Sequence, residues 1–391
     1  MLAVLFWFAI AGLGYIFVGY PLLVWAASKL WPMPDNRPGD RSGDSSDSGD
    51  SSDLPAAVLI AAHNETATLA HKLRQLLDSP AVRTIHVGVD GAAADVLAAI
   101  ESVRDDAAAG RVAIHPFAER RGKPAILSEL IPQVTEPVIV MADARQTIEP
   151  GAIERLLDRL ADPGVGVVSG ELVFRSDDAA TSTSEGVGAY WKYEKFIRKS
   201  EARFRGVPGA TGALYAIRTD LARPITPTTL LDDVVIPMQA VEQGYRCVFE
   251  PAAIVYDSPV TEPGRESIRK RRTIAGAAQL AIDQPRWLLP WRNPIWWEFV
   301  SHKLGRLAAP LLLVIALLTN TALAIDSVFY RVLLALHLLF YVAAAAGYLA
   351  QRLQWRLPGL SIPLMFVTLN GTTALALTDA ARGRFTATWK R

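Results

Sequence analysis

Hydrophobic residues follow two different patterns along this chain. Uninterrupted apolar runs occupy residues 2–27, 307–325 and 332–350, and none of them contains Asp, Glu, Lys or Arg. Each run is long enough to cross the hydrocarbon core of a bilayer as a helix. Because basic residues beginning with Lys29 follow the first run, the positive-inside rule predicts an external N-terminus and a cytosolic middle. Residues 1–30 are therefore a transmembrane helix and not a cleaved signal peptide, which would be shorter and start with basic residues.

In the middle of the chain, residues 54–262, the apolar runs are shorter. Apolar runs of strand length alternate there with helix-like segments such as residues 69–77 and 153–160. The strand-like runs are residues 56–62, 84–89, 112–115, 137–142 and 165–169. This alternation predicts an α/β domain with a mostly parallel sheet and helices on both faces. In such sheets ligands bind beyond the carboxyl ends of the strands.

Residues 31–53 connect the first transmembrane helix to the α/β domain. From position 35 onward they are rich in Ser, Gly and Asp and contain no aliphatic residue. This composition predicts a flexible acidic tether. We expect the tether to let the domain choose its own pose against the membrane.

Residues 263–303 combine basic, apolar and aromatic positions. A basic turn leads into an apolar stretch, so residues 266–282 read as an amphipathic helix at the membrane interface. Tryptophans typical of the headgroup layer follow it, namely Trp287, Trp291, Trp296 and Trp297. We expect His302, just beyond them, to be an interface residue, with contact to a substrate as the alternative.

Residues 304–380 hold the two further clear spans and one ambiguous apolar segment, residues 360–378. Pro363 and Asn370-Gly371 interrupt that segment, and the basic tail 381–391 would lie outside if it crossed the membrane. That outcome conflicts with the positive-inside rule. We therefore expect a broken or re-entrant segment that is covered by protein and lines a channel.

Composition narrows the class further. Hydrophobic residues make up 51% of the chain and are concentrated at its two ends, as expected for a membrane protein with a soluble middle. The formal net charge of +1 gives no sign of a nucleic-acid partner. Cys247 is the only cysteine, so no intramolecular disulfide forms and the soluble part needs no oxidising compartment.

Acidic and amide side chains follow three of the predicted strands. Asn64 and Glu65 come after the first strand, Asp90 after the second and Asp143 after the fourth. Each residue alone is equally typical of a helix cap or a turn. Together, at successive strand ends, they predict a ligand-binding crevice at one edge of the sheet.

Two further segments suit ligand contacts. Lys123, in Arg120-Arg-Gly-Lys-Pro, stands near a predicted helix N-terminus, where a cation is unfavourable for the helix itself. An anionic ligand such as a diphosphate explains it, and a solvated basic turn is the alternative. The small residues Gly209, Ala210, Thr211 and Gly212 permit close approach of the backbone to a ligand.

An acidic pair, Asp232 and Asp233, lies between the apolar residues Leu230-Leu231 and Val234-Val235-Ile236. An apolar environment raises the pKa of a carboxyl group toward the range that suits a general base. The alternative is a helix N-cap, since Asp before an apolar run also satisfies free N–H groups.

The order and spacing of these motifs over residues 54–306 resemble the membrane-embedded family 2 glycosyltransferases, such as cellulose, hyaluronan and chitin-oligosaccharide synthases and bacterial exopolysaccharide relatives. The resemblance implies a GT-A-like, Rossmann-like domain between transmembrane and interfacial helices. It implies that Asn64, Glu65 and Asp90 bind the nucleoside and that Lys123 faces the donor. Asp143 matches the first acid of D-x-D and would bind Mg²⁺ or Mn²⁺, and Gly209–Gly212 would line the acceptor end.

The resemblance further implies that Asp233 is the general base and that Asp232 supports it. Arg269-x-x-Arg272-Thr273 stands where the family carries Q-x-x-R-W, so Arg269 and Arg272 would face the donor. The chain departs from the family twice. Arg145 replaces the second acid of D-x-D, which leaves one carboxylate for a metal ion. The tryptophan of Q-x-x-R-W is replaced by Thr273, which weakens the case for processive polymerisation.

The expected activity is therefore an inverting transfer from a nucleotide-diphosphate sugar, with UDP as the expected nucleotide, to a growing polysaccharide at the inner face of the plasma membrane. A single transfer to a lipid-linked acceptor is the alternative, and an inactive nucleotide-binding scaffold is a third hypothesis. The expected partners are the nucleotide sugar, the glycan or lipid-linked acceptor and membrane lipids. Few spans are available for a wide channel, so a partner protein or self-association is also expected.

Overall fold

The structure is a computed structural model of the 391-residue chain. It describes residues 1–36, 54–104, 110–174, 182–257, 263–353, 355, 357 and 359–385. Most of the predicted tether lies outside these residues.

A mixed sheet of eight strands, in the order β3-β2-β1-β4-β7-β6-β8-β5, forms the centre of the described middle region. The strands are β1 (Ala56–Ala62), β2 (Val82–Asp90), β3 (Val112–Phe117), β4 (Val138–Ala142), β5 (Thr147–Ile148), β6 (Val165–Phe174), β7 (Leu214–Arg218) and β8 (Arg246–Asp257). β1 is buried along its whole length, as expected for a parallel strand that is covered on both faces. The predicted α/β fold is confirmed.

Strand directions are less uniform than the sequence pattern suggests. β1 to β4 run parallel to their neighbours within that group. β7 enters between β4 and β6 and is antiparallel to both, and β5 is antiparallel to β8. The sheet nevertheless brings the ends of β1, β2 and β4 to one edge, where the polar residues were predicted.

Helices lie before, between and after the strands of the sheet. They are α1 (Leu2–Leu30), α2 (Ala67–Leu77), α3 (Ala94–Glu101), α4 (Lys123–Leu130), α5 (Ala152–Leu160), α6 (Ser182–Phe204), α7 (Asp232–Glu242), α8 (Pro263–Asp283), α9 (Trp296–Leu323), α10 (Val328–Arg352) and α11 (Ser361–Ala381). Helices α1, α9, α10 and α11 are long and apolar enough to cross a membrane. Within α9, the turn Phe299–Leu304 is π-helical, a local widening that is common at functional sites.

The segment that was expected to be broken forms one continuous helix, α11. Pro363 falls in its first turn, where a missing N–H needs no intrahelical partner. The Asn370 side chain donates to the carbonyl of Phe366 at 2.9 Å within the same helix. The expectation of a break is therefore wrong.

The soluble domain also has a defined pose against the helices. Tyr20 and Val24 of α1 pack in a buried cluster with Ile197 of α6. The backbone N–H of Met33 donates to the carbonyl of Arg203 at 2.9 Å, and that of Asn36 donates to Asp162 at 3.2 Å. The first residues of the predicted tether are thus attached to the domain, and the expectation of a free pose is wrong.

Candidate active site

The three acids Asp143, Asp232 and Asp233 meet at the edge of the sheet, and Lys123 lies between two of them. Its Nζ stands 2.8 Å from Asp143 Oδ1 and 3.0 Å from Asp232 Oδ2. Burial opposes the charge of Lys123, yet Asp143 and Asp232 raise its pKa well above the ordinary value. The ammonium is therefore a fixed positive charge that connects the end of β4 with the start of α7.

Backbone geometry fixes where Lys123 stands. Gly122 has a φ of +83°, which favours glycine, and α4 begins at the next residue. Helix α4 approaches the sheet closely because Gly88 has no side chain, and a Cβ there would lie 2.2 Å from Ile126. The loop before α4 is held by Asp90, whose carboxylate accepts from the backbone N–H groups of Arg121 at 2.7 Å and Gly122 at 3.1 Å.

The residues predicted to bind the nucleoside lie next to this loop. Asp90 is 1% exposed, and its carbonyl lies 3.0 Å from the ring of His63. The Glu65 carboxylate accepts from the backbone N–H groups of His63 at 2.8 Å and Asn64 at 3.1 Å. In this structure Asp90 and Glu65 order the two loops, and nucleoside contact for them and for Asn64 stays a prediction.

Asp233 stands on the first turn of α7 against the small-residue loop. The carbonyl of Asp233 accepts from the Ala210 N–H at 2.7 Å, and a Cβ at Gly212 would lie 3.2 Å from the Asp233 carboxylate. Burial, together with the charge of Asp232, raises the pKa of Asp233 to about 6, although Lys303 and Lys123 act in the opposite direction. That value suits a general base near neutral pH.

Helix capping does not account for the acidic pair. The N-cap residue of α7 is Leu231, and no side chain caps the helix. Both carboxylates instead belong to the first turn, where the helix dipole favours negative charge.

A half-buried arginine that sequence analysis missed supports the small-residue loop. Arg198 of α6 donates to Thr211 Oγ1 at 2.8 Å and to Ser169 Oγ at 2.7 Å. Ser169 Oγ in turn accepts from the Thr211 N–H at 2.8 Å. The guanidinium also lies over the Phe249 ring at 4.6 Å. Nothing in the local pattern of α6 marks Arg198, because its partners are distant in sequence.

Arg145, Asp257 and Lys72 also lie near Asp143, and the sequence analysis did not indicate the last two. Arg145, in the position of the missing D-x-D acid, is 2.6 Å from Asp257 at the end of β8. Gln146 also donates to Asp257, at 3.2 Å. Lys72 of α2 is 0% exposed. Burial lowers the pKa of Lys72 to about 8, and Asp143 and Asp257 act in the opposite direction.

This set of side chains fits a divalent cation poorly. Among the described residues no group of three or more His, Cys, Asp or Glu side chains could hold a metal ion. Asp143 and Asp257 already face Lys123, Arg145 and the buried ammonium of Lys72. Cations supply no ligand oxygen and repel a divalent ion.

The basic helix α8 packs beside the acidic pair, but one of its arginines pairs with a different helix. A Cβ at Gly276 would lie 2.6 Å from Leu231, so α8 packs on the residue before Asp232. Arg271 forms an ion pair with Asp379 of α11. Arg269 and Arg272 lie on the same helix, and donor binding by them stays a prediction.

Polar residues of α9 reach the domain from the membrane side. His302 lies between Glu201 at 2.8 Å and Glu194 at 3.0 Å, so it joins α9 to α6, and its expected position at the membrane interface stays a prediction. The next residue, Lys303, acts on the charge of Asp233. Sequence analysis missed Lys303, whose position in a Ser-His-Lys turn before a transmembrane run was the only signal.

Comparison with known proteins places this arrangement in a family. Residues 55–276 match the family model described as "Glycosyltransferase like family 2". Searching the curated proteins gave no match. Among solved structures, the mannosyltransferase PcManGT from Pyrobaculum calidifontis, in complex with GDP-Man and Mn²⁺, is similar with a TM-score of 0.67 and 19% identity. The match covers 97% of this chain and 99% of that one, so the fold, including the flanking helices, is shared.

A second solved structure is similar over a smaller part. Mannosyl-3-phosphoglycerate synthase from Rubrobacter xylanophilus matches 59% of this chain and 75% of its own at 12% identity, and its TM-score of 0.39 is too low to indicate a shared fold. The family model alone covers more than half of the chain. Together with the GT-A-like fold, this match identifies the protein as an enzyme that belongs to the family 2 glycosyltransferases.

Proposed function

We propose that the protein transfers a sugar from a nucleotide-diphosphate donor to an acceptor hydroxyl at a membrane surface, with inversion at the anomeric carbon. One observation carries the proposal. Asp233, with a pKa raised to about 6, faces the small-residue loop on one side and the Lys123 ammonium group shared by Asp143 and Asp232 on the other. A carboxylate suited to act as a base and an ammonium suited to bind a diphosphate thus lie close together, which supports the proposal.

The reaction in this proposal is a single displacement. The acceptor oxygen bonds to the anomeric carbon as the bond from that carbon to the diphosphate oxygen breaks. Asp233 takes the proton of the acceptor hydroxyl, and the electron pair leaves with the nucleoside diphosphate, whose growing charge Lys123 stabilises. No covalent bond to the enzyme forms.

Two acceptors are consistent with this chemistry. A growing polysaccharide is the first, because Asp233 is suited to deprotonate a sugar hydroxyl. A single lipid-linked acceptor is the second, and the position of Lys303 favours it. Lys303 stands on a helix that is long and apolar enough to cross a membrane, close enough to Asp233 to lower its pKa. The donor nucleotide is proposed to be UDP, and GDP is the competing choice because the similar mannosyltransferase was solved with GDP-Man.

The test supplies purified full-length protein in membranes with radiolabelled UDP-sugars and GDP-mannose. A ladder of long, water-soluble products supports the polysaccharide acceptor, whereas a single organic-extractable product supports the lipid-linked one. Asp233→Asn is the control variant and should abolish either product. If a cellular function survives Asp233→Asn while no product forms, the inactive scaffold is the better hypothesis, whereas wild-type transfer by the variant would contradict Asp233 as the base.

A further inference from the structure

Three cations stand among the three acids Asp143, Asp232 and Asp257 at the strand ends. Lys123 faces Asp143 and Asp232, and Arg145 faces Asp257. Lys72 lies behind Asp143 and Asp257 as a third cation. An arginine therefore replaces an acid at the second D-x-D position, and two ammonium groups flank the acid that remains.

Two of the three cations can be reached by a ligand. The side chain of Lys123 is 18% exposed and that of Arg145 is 39% exposed, beside an Asp143 side chain that is 35% exposed. A guanidinium presents a planar fork of N–H donors that matches two phosphate oxygens, and an ammonium acts as a point charge. Both kinds of group bind diphosphates without a metal ion.

Lys72 is the unusual member of the set. Its side chain is completely buried, and its Nζ has no hydrogen-bond partner among the described residues. A buried ammonium with unused N–H groups is costly. It becomes less costly if a carboxylate turns toward it, and Asp143 and Asp257 are the acids that act on it.

We infer that this protein holds the diphosphate of its donor through Lys123 and Arg145 in place of a resident divalent cation, and that Lys72 is a positioning residue. The inference rests on the proposed function, since it concerns the same donor. On binding, the diphosphate draws Lys123 from Asp143 and Arg145 from Asp257. Lys72 then neutralises the acids that have lost their partners.

The first experiment measures binding of UDP, GDP and dTDP to the full-length protein by calorimetry, once with EDTA and once with Mn²⁺. We expect the Kd of the preferred nucleoside diphosphate to differ by less than about threefold between the two conditions. A loss of tenfold or more in EDTA overturns the inference and restores the predicted cation. Absence of binding under both conditions overturns the proposed function as well, so the two failures are distinguishable.

The second experiment rebuilds the family motif. Arg145→Asp places a second acid beside Asp143 and releases Asp257 from its ion pair. We expect this variant to bind the nucleoside diphosphate at least about tenfold more weakly in EDTA and to regain affinity with Mn²⁺. Binding in EDTA that equals the wild type would contradict a role for Arg145.

The third experiment isolates Lys72. Lys72→Met keeps the length of the side chain without its charge, and Arg74→Met changes an exposed residue of the same helix as a control. We expect Lys72→Met to weaken UDP or GDP at least about fivefold while leaving uridine or guanosine unchanged, and Lys72→Arg to restore part of the loss. Equal weakening of nucleoside and nucleoside diphosphate would show a purely structural role, as would a loss that only follows the unfolding temperature.

Discussion

Two groups of charged residues, one between α1, α6 and α9 and one at the strand ends, differ in their hydrogen bonding. On the membrane side, His302 bonds to both Glu194 and Glu201. Arg306 pairs with Glu194, and the Tyr20 hydroxyl donates to Glu201 at 2.5 Å. At the strand ends, Lys72 has no hydrogen-bond partner within the part of the chain that the structure describes, and Asp143 is partly exposed.

The difference separates a structural role from a binding role. In the first group each side chain has a charged or hydrogen-bonding partner, although Glu201 Oε2 has none among the described residues, and such paired charges join elements. The Lys72 ammonium has no hydrogen-bond partner in the described chain at all, which is costly in the free protein. Helices α1, α6 and α9 meet at the first group, and strand ends with α2, α4 and α7 meet at the second. Substitutions in the first group should therefore change stability, and substitutions around the second should change activity.

Removing the base has the largest expected effect. In Asp233→Asn the side chain can no longer accept the acceptor's proton, so kcat should fall by roughly 10²- to 10⁴-fold. The unfolding temperature should stay within error of the wild type or rise, because a buried charge is lost. Initial rates with the accepted donor measure the effect, and the exposed Asp220→Asn is the matched control.

Disrupting the charged group around Glu194 and Glu201 should lower the stability of the protein instead of its rate. Glu194→Leu leaves Arg306 and His302 without their shared carboxylate, and loss of one partner of a buried ion pair costs about 3–5 kcal/mol. The midpoint of thermal unfolding in detergent should fall clearly, whereas Glu119→Leu, at an exposed position, should leave it nearly unchanged. Wild-type stability together with lost activity would remove the distinction between the two groups.

The pH profile sharpens the comparison because its acidic limb reports on the protonation of the Asp233 carboxylate. The pKa of Asp233 is raised to about 6, so the carboxylate becomes protonated as the pH falls through that value and can no longer accept a proton. We expect kcat/KM to fall about tenfold per pH unit below pH 6 and to level off above about pH 7. A profile that is flat from pH 5 to pH 8 would argue against Asp233 as the base.

A methyl group beside Asp233 should have the smallest effect. In Gly212→Ala the new Cβ would lie 3.2 Å from the Asp233 carboxylate, so the carboxylate must shift slightly, and a barrier raised by about 1.4 kcal/mol would slow the reaction tenfold. Gly110→Ala, where nothing lies within 4 Å, is the control. Steady-state rates of the two variants should differ while their unfolding temperatures agree, unless the loop moves away from Asp233.

Short-range patterns predicted the parts of the fold that local chemistry dictates. The apolar runs indicated β1 and β4 because both are buried along their whole length, and the family resemblance indicated the acids at the strand ends. β8 alternates between buried and half-exposed positions beyond its first half, so its sequence did not stand out. The antiparallel entry of β7 depends on pairing with β4 and β6, which no local pattern encodes.

The site residues also differ in whether local sequence could indicate them. Asp143 and Asp233 could be predicted because each follows or opens a recognisable apolar run. Lys72 and Arg198 could not, because their environments come from helices packed onto distant strands. Asp257, at the end of β8, acquires its role only through Arg145, 112 positions away in the chain.

The packing of α1 has a consequence for how the protein is made. Its residues Ala9 and Ile16 pack with Leu312 and Ala316 of α9. The Phe6 ring meets Tyr330 of α10 at 5.5 Å, and Phe17 meets Phe366 of α11 at 5.0 Å. The helix that precedes the catalytic domain in the chain thus packs against helices that follow the domain, so the whole domain is synthesised between α1 and its partners. The packing of α1 against α9, α10 and α11 is therefore a step that follows synthesis of the domain.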